Sequence, residues 1–145
     1  MTGIVNAQTK QETVDFLKKK MCFKQLSNGT THIHKIDITG CRMTMTYVNK
    51  QQDGSKSETI IIVNLKDLDP TRLELDLPSS PEYAPNVALR AREDKKAILW
   101  KMPNNKYIKE KYDNTAFARN AREAIQLKKA FSHLIKLCGG KGELF

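Results

Sequence analysis

The sequence predicts an α+β fold in which an antiparallel sheet of six or seven strands packs against a long C-terminal helix, with a short helix near the N-terminus. Three observations predict it. Between Thr31 and Met102 apolar residues recur at every second position, the period of a half-buried strand. From Phe117 to Cys138 they recur at threes and fours, the period of a helix with one buried stripe. The 145 residues, 39% of them hydrophobic, suit one domain that buries about two-thirds of its unfolded surface.

The first helix is read from Lys10 to Met21. Thr9 and Glu12 form a capping box, each side chain placed to bond the other's amide, and Val14, Leu17 and Met21 follow at helical spacing. Ser27-Asn28-Gly29 ends this region with turn chemistry. The segment before it, Cys22 to Leu26, is a candidate seventh strand.

The strands come next. His32 to Ile38 is one, closed by a turn at Thr39-Gly40. Arg42 to Tyr47 is another, with Met43, Met45 and Tyr47 on one face and Arg42, Thr44 and Thr46 on the other. Asp53-Gly54 favours a hairpin because glycine tolerates positive φ. The β-branched run from Thr59 to Leu65 reads as a central strand. Asp69-Pro70 turns the chain, and Leu73, Leu75 and Leu77 then alternate with charged residues. A Pro/Ser-rich loop runs from Pro78 to Pro85. Val87 to Ala91 and Ile98 to Met102 are the last strands, joined by the charged turn Glu93 to Lys96.

The C-terminal helix is expected to start at Asp113 or Asn114, either of which can act as cap, and to run to Cys138. Its stripe is Phe117, Ala121, Ala124, Leu127, Phe131, Leu134 and Cys138, interrupted by Asn120 and Lys128. Gly139-Gly140 supplies a left-handed residue to end it. The glycines of Gly139-Gly140-Lys141-Gly142 do not make a phosphate loop, because such loops precede a helix rather than follow one.

This order of elements resembles that of pleckstrin-homology-like domains, and the ending from His133 to Lys141 resembles that of a group of uncharacterised bacterial proteins. The resemblance covers Thr31 to Cys138. It implies two orthogonal antiparallel sheets forming a partly open barrel that the last helix plugs. The chain is expected to divide into a flexible tail over 1–8 and a single domain of this kind over 9–145. Lipid-binding members carry a Lys-x-many-Lys/Arg-x-Arg pattern around the first hairpin. Lys35 and Arg42 match its first two positions, while Thr44 stands where the last Arg would be.

The charge balance, 25 Lys and Arg against 16 Asp and Glu, gives a formal +9 that attracts anionic partners. Solubility alone is the competing reading. No apolar run approaches the roughly 20 residues of a membrane-spanning helix. The cytoplasm is the default expectation. Ile4-Val5-Asn6-Ala7 before Gln8 resembles the tail of a cleaved leader, and in that case the protein is exported.

Cys22, Cys41 and Cys138 form no C-x-x-C pair, sit among apolar residues and are expected to be unpaired thiols. His32 and His34 lie two apart on one strand and could share a metal with His133 or a cysteine, but no carboxylate neighbours them. No metal and no cofactor is expected. No Ser-His-acid order or spaced carboxylate pair stands out, so an enzyme on a small barrel is the least favoured class.

Two basic features remain. Lys106-Tyr107-Ile108-Lys109-Glu110-Lys111-Tyr112, read as a loop, interleaves cations that neutralise anions with rings that stack. On the last helix Arg119, Arg122, Lys129 and Lys136 share a face with Gln126 and His133, which also suits an ordinary solvated face. Lys106, Tyr107, Lys109, Lys111, Tyr112, Arg119 and Arg122 are the candidate binding residues, expected to be neighbours because they adjoin in sequence. The function expected is a non-enzymatic module for a protein or peptide partner, for which an acidic one fits the charge. The alternative is an anion-surface binder for nucleic acid or acidic lipid.

Overall fold

Thr9 and Glu12 form the expected capping box. The Glu12 amide donates to Thr9 Oγ1 at 3.0 Å, and the Thr9 amide donates to Glu12 Oε1 at 2.9 Å. They open helix α1, Lys10–Met21, which buries Thr13, Val14, Leu17 and Met21. The structure, a computed structural model, describes residues 9–21, 24–25, 31–50, 54, 56–79, 85–93, 95–101 and 108–139. The tail expected over 1–8 lies outside them.

Strands β1 (Lys24–Gln25), β2 (Thr31–Thr39), β3 (Arg42–Lys50), β4 (Lys56–Asn64), β7 (Ile98–Lys101) and β8 (Ile108–Lys111) form an antiparallel sheet in the order β1-β2-β3-β4-β7-β8. Strands β5 (Glu74–Asp76), β6 (Asn86–Arg90) and β9 (Asp113–Phe117) form a second, in the order β5-β6-β9. Neither sheet closes into a barrel. Gly40 and Gly54 take φ of +63° and +91° in the β2–β3 and β3–β4 turns, a conformation that would strain a residue bearing Cβ.

Alternation sorts the large sheet into two faces. Ile36, Met43, Met45, Ile61, Val63 and Ile98 are buried on the inner one. The small sheet contributes Val87, Leu89 and Ala116 to the same cluster. Helix α2, Ala121–Gly139, buries Ala124, Leu127, Ala130, Phe131, Leu134 and Ile135 and packs on α1 and on the β5–β6 side of the small sheet. Lys20 on α1 meets Glu123 on α2 at 3.1 Å.

Between β4 and β5 a single 3-10 turn, Leu65–Asp67, lets Leu65 and Leu68 enter the core. At the following turn the Thr71 hydroxyl and amide both donate to Asp69 Oδ1, at 2.7 and 2.9 Å. These bonds, the side-chain one first, hold the Asp69 carboxyl below the usual range, with Arg72 and Arg92 adding to them against slight burial.

Several expectations need correction. The last helix does not start at Asp113 or Asn114. Residues 113–117 are strand β9, paired with β6 from Arg90↔Asp113 to Asn86↔Phe117. Pairing with β6 buries Asn114 and Ala116, which a helix start could not do. The cap is Asn120, whose Oδ1 accepts the Glu123 amide at 2.9 Å. That contact explains why a polar residue interrupts the apolar spacing there. Phe117 accordingly belongs to a strand, and Ala121 is exposed.

Gly139 continues the helix without positive φ, and Gly140 is outside the described residues. A side chain at Gly139 would collide with the Arg92 guanidinium, so close approach is what its bare Cα permits. The Lys106–Tyr112 segment is not all loop, since Ile108–Lys111 pairs with β7 as an edge strand. Cys41 and Cys138 are not free thiols. They are joined by a disulfide, with Cα atoms 5.6 Å apart.

Candidate functional site

The outward-facing residues of the large sheet follow from its register. Arg42 pairs with Asn64, and Thr44, Ile62, Leu99 and Glu110 form one row across β3, β4, β7 and β8. Because one face of these strands is already the core, this row must be the solvent side. Ile62 and Leu99 are accordingly half-buried rather than covered.

Around that row is a hollow of about 450 Å3, lined by Cys41, Arg42, Ile62, Asn64, Lys66, Lys96, Ala97, Leu99 and Glu110. Its size falls in the range of small-ligand and short-peptide sites. Each cation arrives from a different element. Arg42 opens β3 directly after the Gly40 turn. Lys66 projects from the 3-10 turn, held in place by the Leu65 amide donating to the Cys41 carbonyl at 2.9 Å. Lys96 precedes β7, next to Ala97, whose carbonyl accepts the Asn64 amide at 2.8 Å.

The charges are unequal. Three cations face a single carboxylate, Glu110, which Lys96 approaches at 3.9 Å. Lys96 also lies 5.9 Å from the centre of the Tyr112 ring. Among the described residues Arg42 and Lys66 have no ion-pair partner. The hollow therefore combines an apolar floor with two uncommitted positive charges. That combination suits a ligand that carries carboxylates on a partly apolar frame, because the carboxylates meet the cations and the frame removes the floor from water.

The residues singled out in the sequence are not gathered in one place. Lys106 and Tyr107 lie outside the described residues. Lys109 and Lys111 alternate with Glu110 on β8, so they face away from the hollow. Lys111 sits 4.2 Å from the centre of the Trp100 ring. Tyr112 is exposed and adjoins the hollow through Lys96. Arg119 and Arg122 stand at the far end of β9, which spans roughly 17 Å at strand rise. Arg119 there bonds the Lys19 carbonyl at 3.4 Å and Glu123 at 3.6 Å. Sequence adjacency therefore misleads, because an extended strand separates the two basic groups.

Arg42, Lys66 and Lys96 carried no binding signal in the sequence beyond Arg42's place in the hairpin pattern. The pairing of β2 and β3 shifts register between Ile33 and Lys35, so plain alternation does not carry through His34. The side chains of His32 and His34 are outside the described residues, and no group of three metal-ligating side chains occurs among those described. Among the described residues no helix is long and apolar enough to cross a membrane. Compared with family models, with curated proteins and with solved structures, the chain finds no match.

Proposed function

We propose that the protein is a non-enzymatic binding module whose hollow on the outer sheet face takes an acidic segment of a peptide or protein partner. The observation that carries this reading is the lining itself: Arg42 and Lys66 without ion-pair partners among the described residues, above the half-buried Ile62 and Leu99. A carboxylate would meet the two cations, and an apolar side chain beside it would cover the floor. The small size of the hollow favours this occupant over a continuous phosphate backbone. The element order of a pleckstrin-homology-like domain belongs to the same proposal as a fold analogy, which by itself fixes no ligand.

The test is direct binding of a fluorescent peptide of alternating Glu and Leu to the full chain, with a single-stranded oligonucleotide and anionic vesicles alongside. The peptide is expected to bind, and its affinity to drop on reversing charge in Arg42→Glu/Lys66→Glu. Exposed pairs are each worth about 0.2–1 kcal/mol. The double reversal should therefore weaken binding by roughly tenfold. Preference for the oligonucleotide with a steep salt slope would replace this reading with nucleic-acid binding. Binding to the vesicles alone would replace it with lipid binding.

A further inference from the structure

We propose that the Cys41–Cys138 disulfide is exchangeable through the basic hollow, and that the reactant is a small thiol bearing carboxylates, which becomes linked to Cys41. The inference rests on the same anion-attracting lining as the reading above but reaches a different chemistry.

Two placements carry it. Cys41 lines the hollow beside Arg42, Lys66 and Lys96, and both bonded cysteines are only half-buried. Cations also surround the bond from the other sides. Lys10 Nζ lies 3.9 Å from Cys41 Sγ. The Arg92 guanidinium crowds Gly139, the residue after Cys138. Positive surroundings draw an anionic thiol toward the bond, and Cys41, the cysteine that lines the hollow, is the one it reaches. The C-terminal end of α2 works against a thiolate leaving from Cys138, so access to the hollow rather than leaving-group stability selects Cys41 for attack.

In the step itself, the incoming thiolate sulfur attacks Cys41 Sγ. A new S–S bond forms there, the Cys41–Cys138 bond breaks, and its electron pair leaves on Cys138 Sγ, which takes a proton from solvent. Exchange changes no net oxidation state and needs no further oxidant or reductant. Its structural consequence is release of the last turn of α2 from the β2–β3 turn, while a carboxylate-bearing group occupies the hollow.

The experiment uses the oxidised full chain and four probes: mercaptosuccinate, mercaptoacetate, mercaptoethanol and cysteamine. Rates are normalised to thiolate concentration, and adducts are located by mass spectrometry after acid quenching. The urea-unfolded chain serves as reference. The expected result is a rate order of dianion, monoanion, neutral, cation in the folded chain. Divided by the rates on the unfolded chain, which carry each thiol's intrinsic nucleophilicity, the folded-chain rates should keep that order with a spread of about tenfold that shrinks with salt. The adduct should sit on Cys41.

Arg42→Gln/Lys66→Gln changes only exposed side chains, and it should collapse the order. A cationic thiol reacting as fast as the dianion, an adduct mainly on Cys138, or an order that survives the double substitution would each overturn the proposal. A non-thiol Glu/Leu peptide added as competitor separates the two readings. If the thiol order holds but the peptide does not slow the dianion, the exchange stands and the acidic-peptide reading fails. If the peptide binds and the thiol order is absent, the reverse holds.

Discussion

Cys41 at the β2–β3 turn and Cys138 at the end of α2 are 97 residues apart in sequence and are covalently joined, so the chain's longest helix is fastened to the strand edge of the hollow. Closing so long a loop restricts the unfolded chain strongly, and a disulfide of this kind typically contributes about 2–4 kcal/mol. Peptide mapping without reduction should therefore find a Cys41–Cys138 crosslink. The Cys41→Ser/Cys138→Ser variant should unfold at lower denaturant. Quantitative alkylation of both thiols in freshly unfolded, unreduced protein would contradict the assignment.

Phe131 has no exposed surface and lies at the centre of the α2 stripe. Its truncation to Ala leaves a cavity in the core cluster that packed neighbours only partly fill. The expected loss is about 3–5 kcal/mol by chemical denaturation. A loss well under 1 kcal/mol would mean that the stripe is not core.

Asn120 starts α2 through its side-chain oxygen, and that contact is testable apart from packing because the residue is exposed. Asn120→Ala should cost about 1 kcal/mol, and Asn120→Asp should recover most of it. Equal stability of all three proteins would return the helix start to an earlier residue.

Burial pushes the Tyr47 phenol up to about 12, its hydroxyl lying 4.0 Å from the Met45 sulfur. The folded state thus holds this proton more tightly than the unfolded chain, whose tyrosines titrate near 10. Stability from this residue is fully present below pH 10 and is lost as pH rises toward 12, at up to about 1.4 kcal/mol per pH unit. Tyr47 should ionise late in a tyrosinate absorbance titration. Tyr47→Phe should remove that step and flatten the alkaline fall in stability.

What was legible in the sequence was what neighbours decide. The Thr9/Glu12 box, the faces of β3 and the Gly40 turn need only a few adjacent residues, and the structure has them as expected. Residues 113–117 went astray because Asp113, Asn114 and Thr115 suit a cap or a strand equally. Their partner, β6, lies about two dozen positions upstream. The hollow was illegible for the same reason. Arg42, Lys66, Lys96 and Glu110 meet only through the pairing of β3, β4, β7 and β8, and Cys41 meets Cys138 only across the whole molecule.

On the proposed function the outer sheet face binds an acidic ligand at one place. Amide NMR of the full chain, titrated with the Glu/Leu peptide at low salt, tests it most directly. The largest shifts are predicted at Arg42, Ile62, Asn64, Lys66, Lys96 and Leu99, with α2 beyond its last turn unaffected. Saturable shifts confined to Arg119, Arg122 and the exposed face of α2, with the β3–β4–β7 signals unmoved, would contradict it.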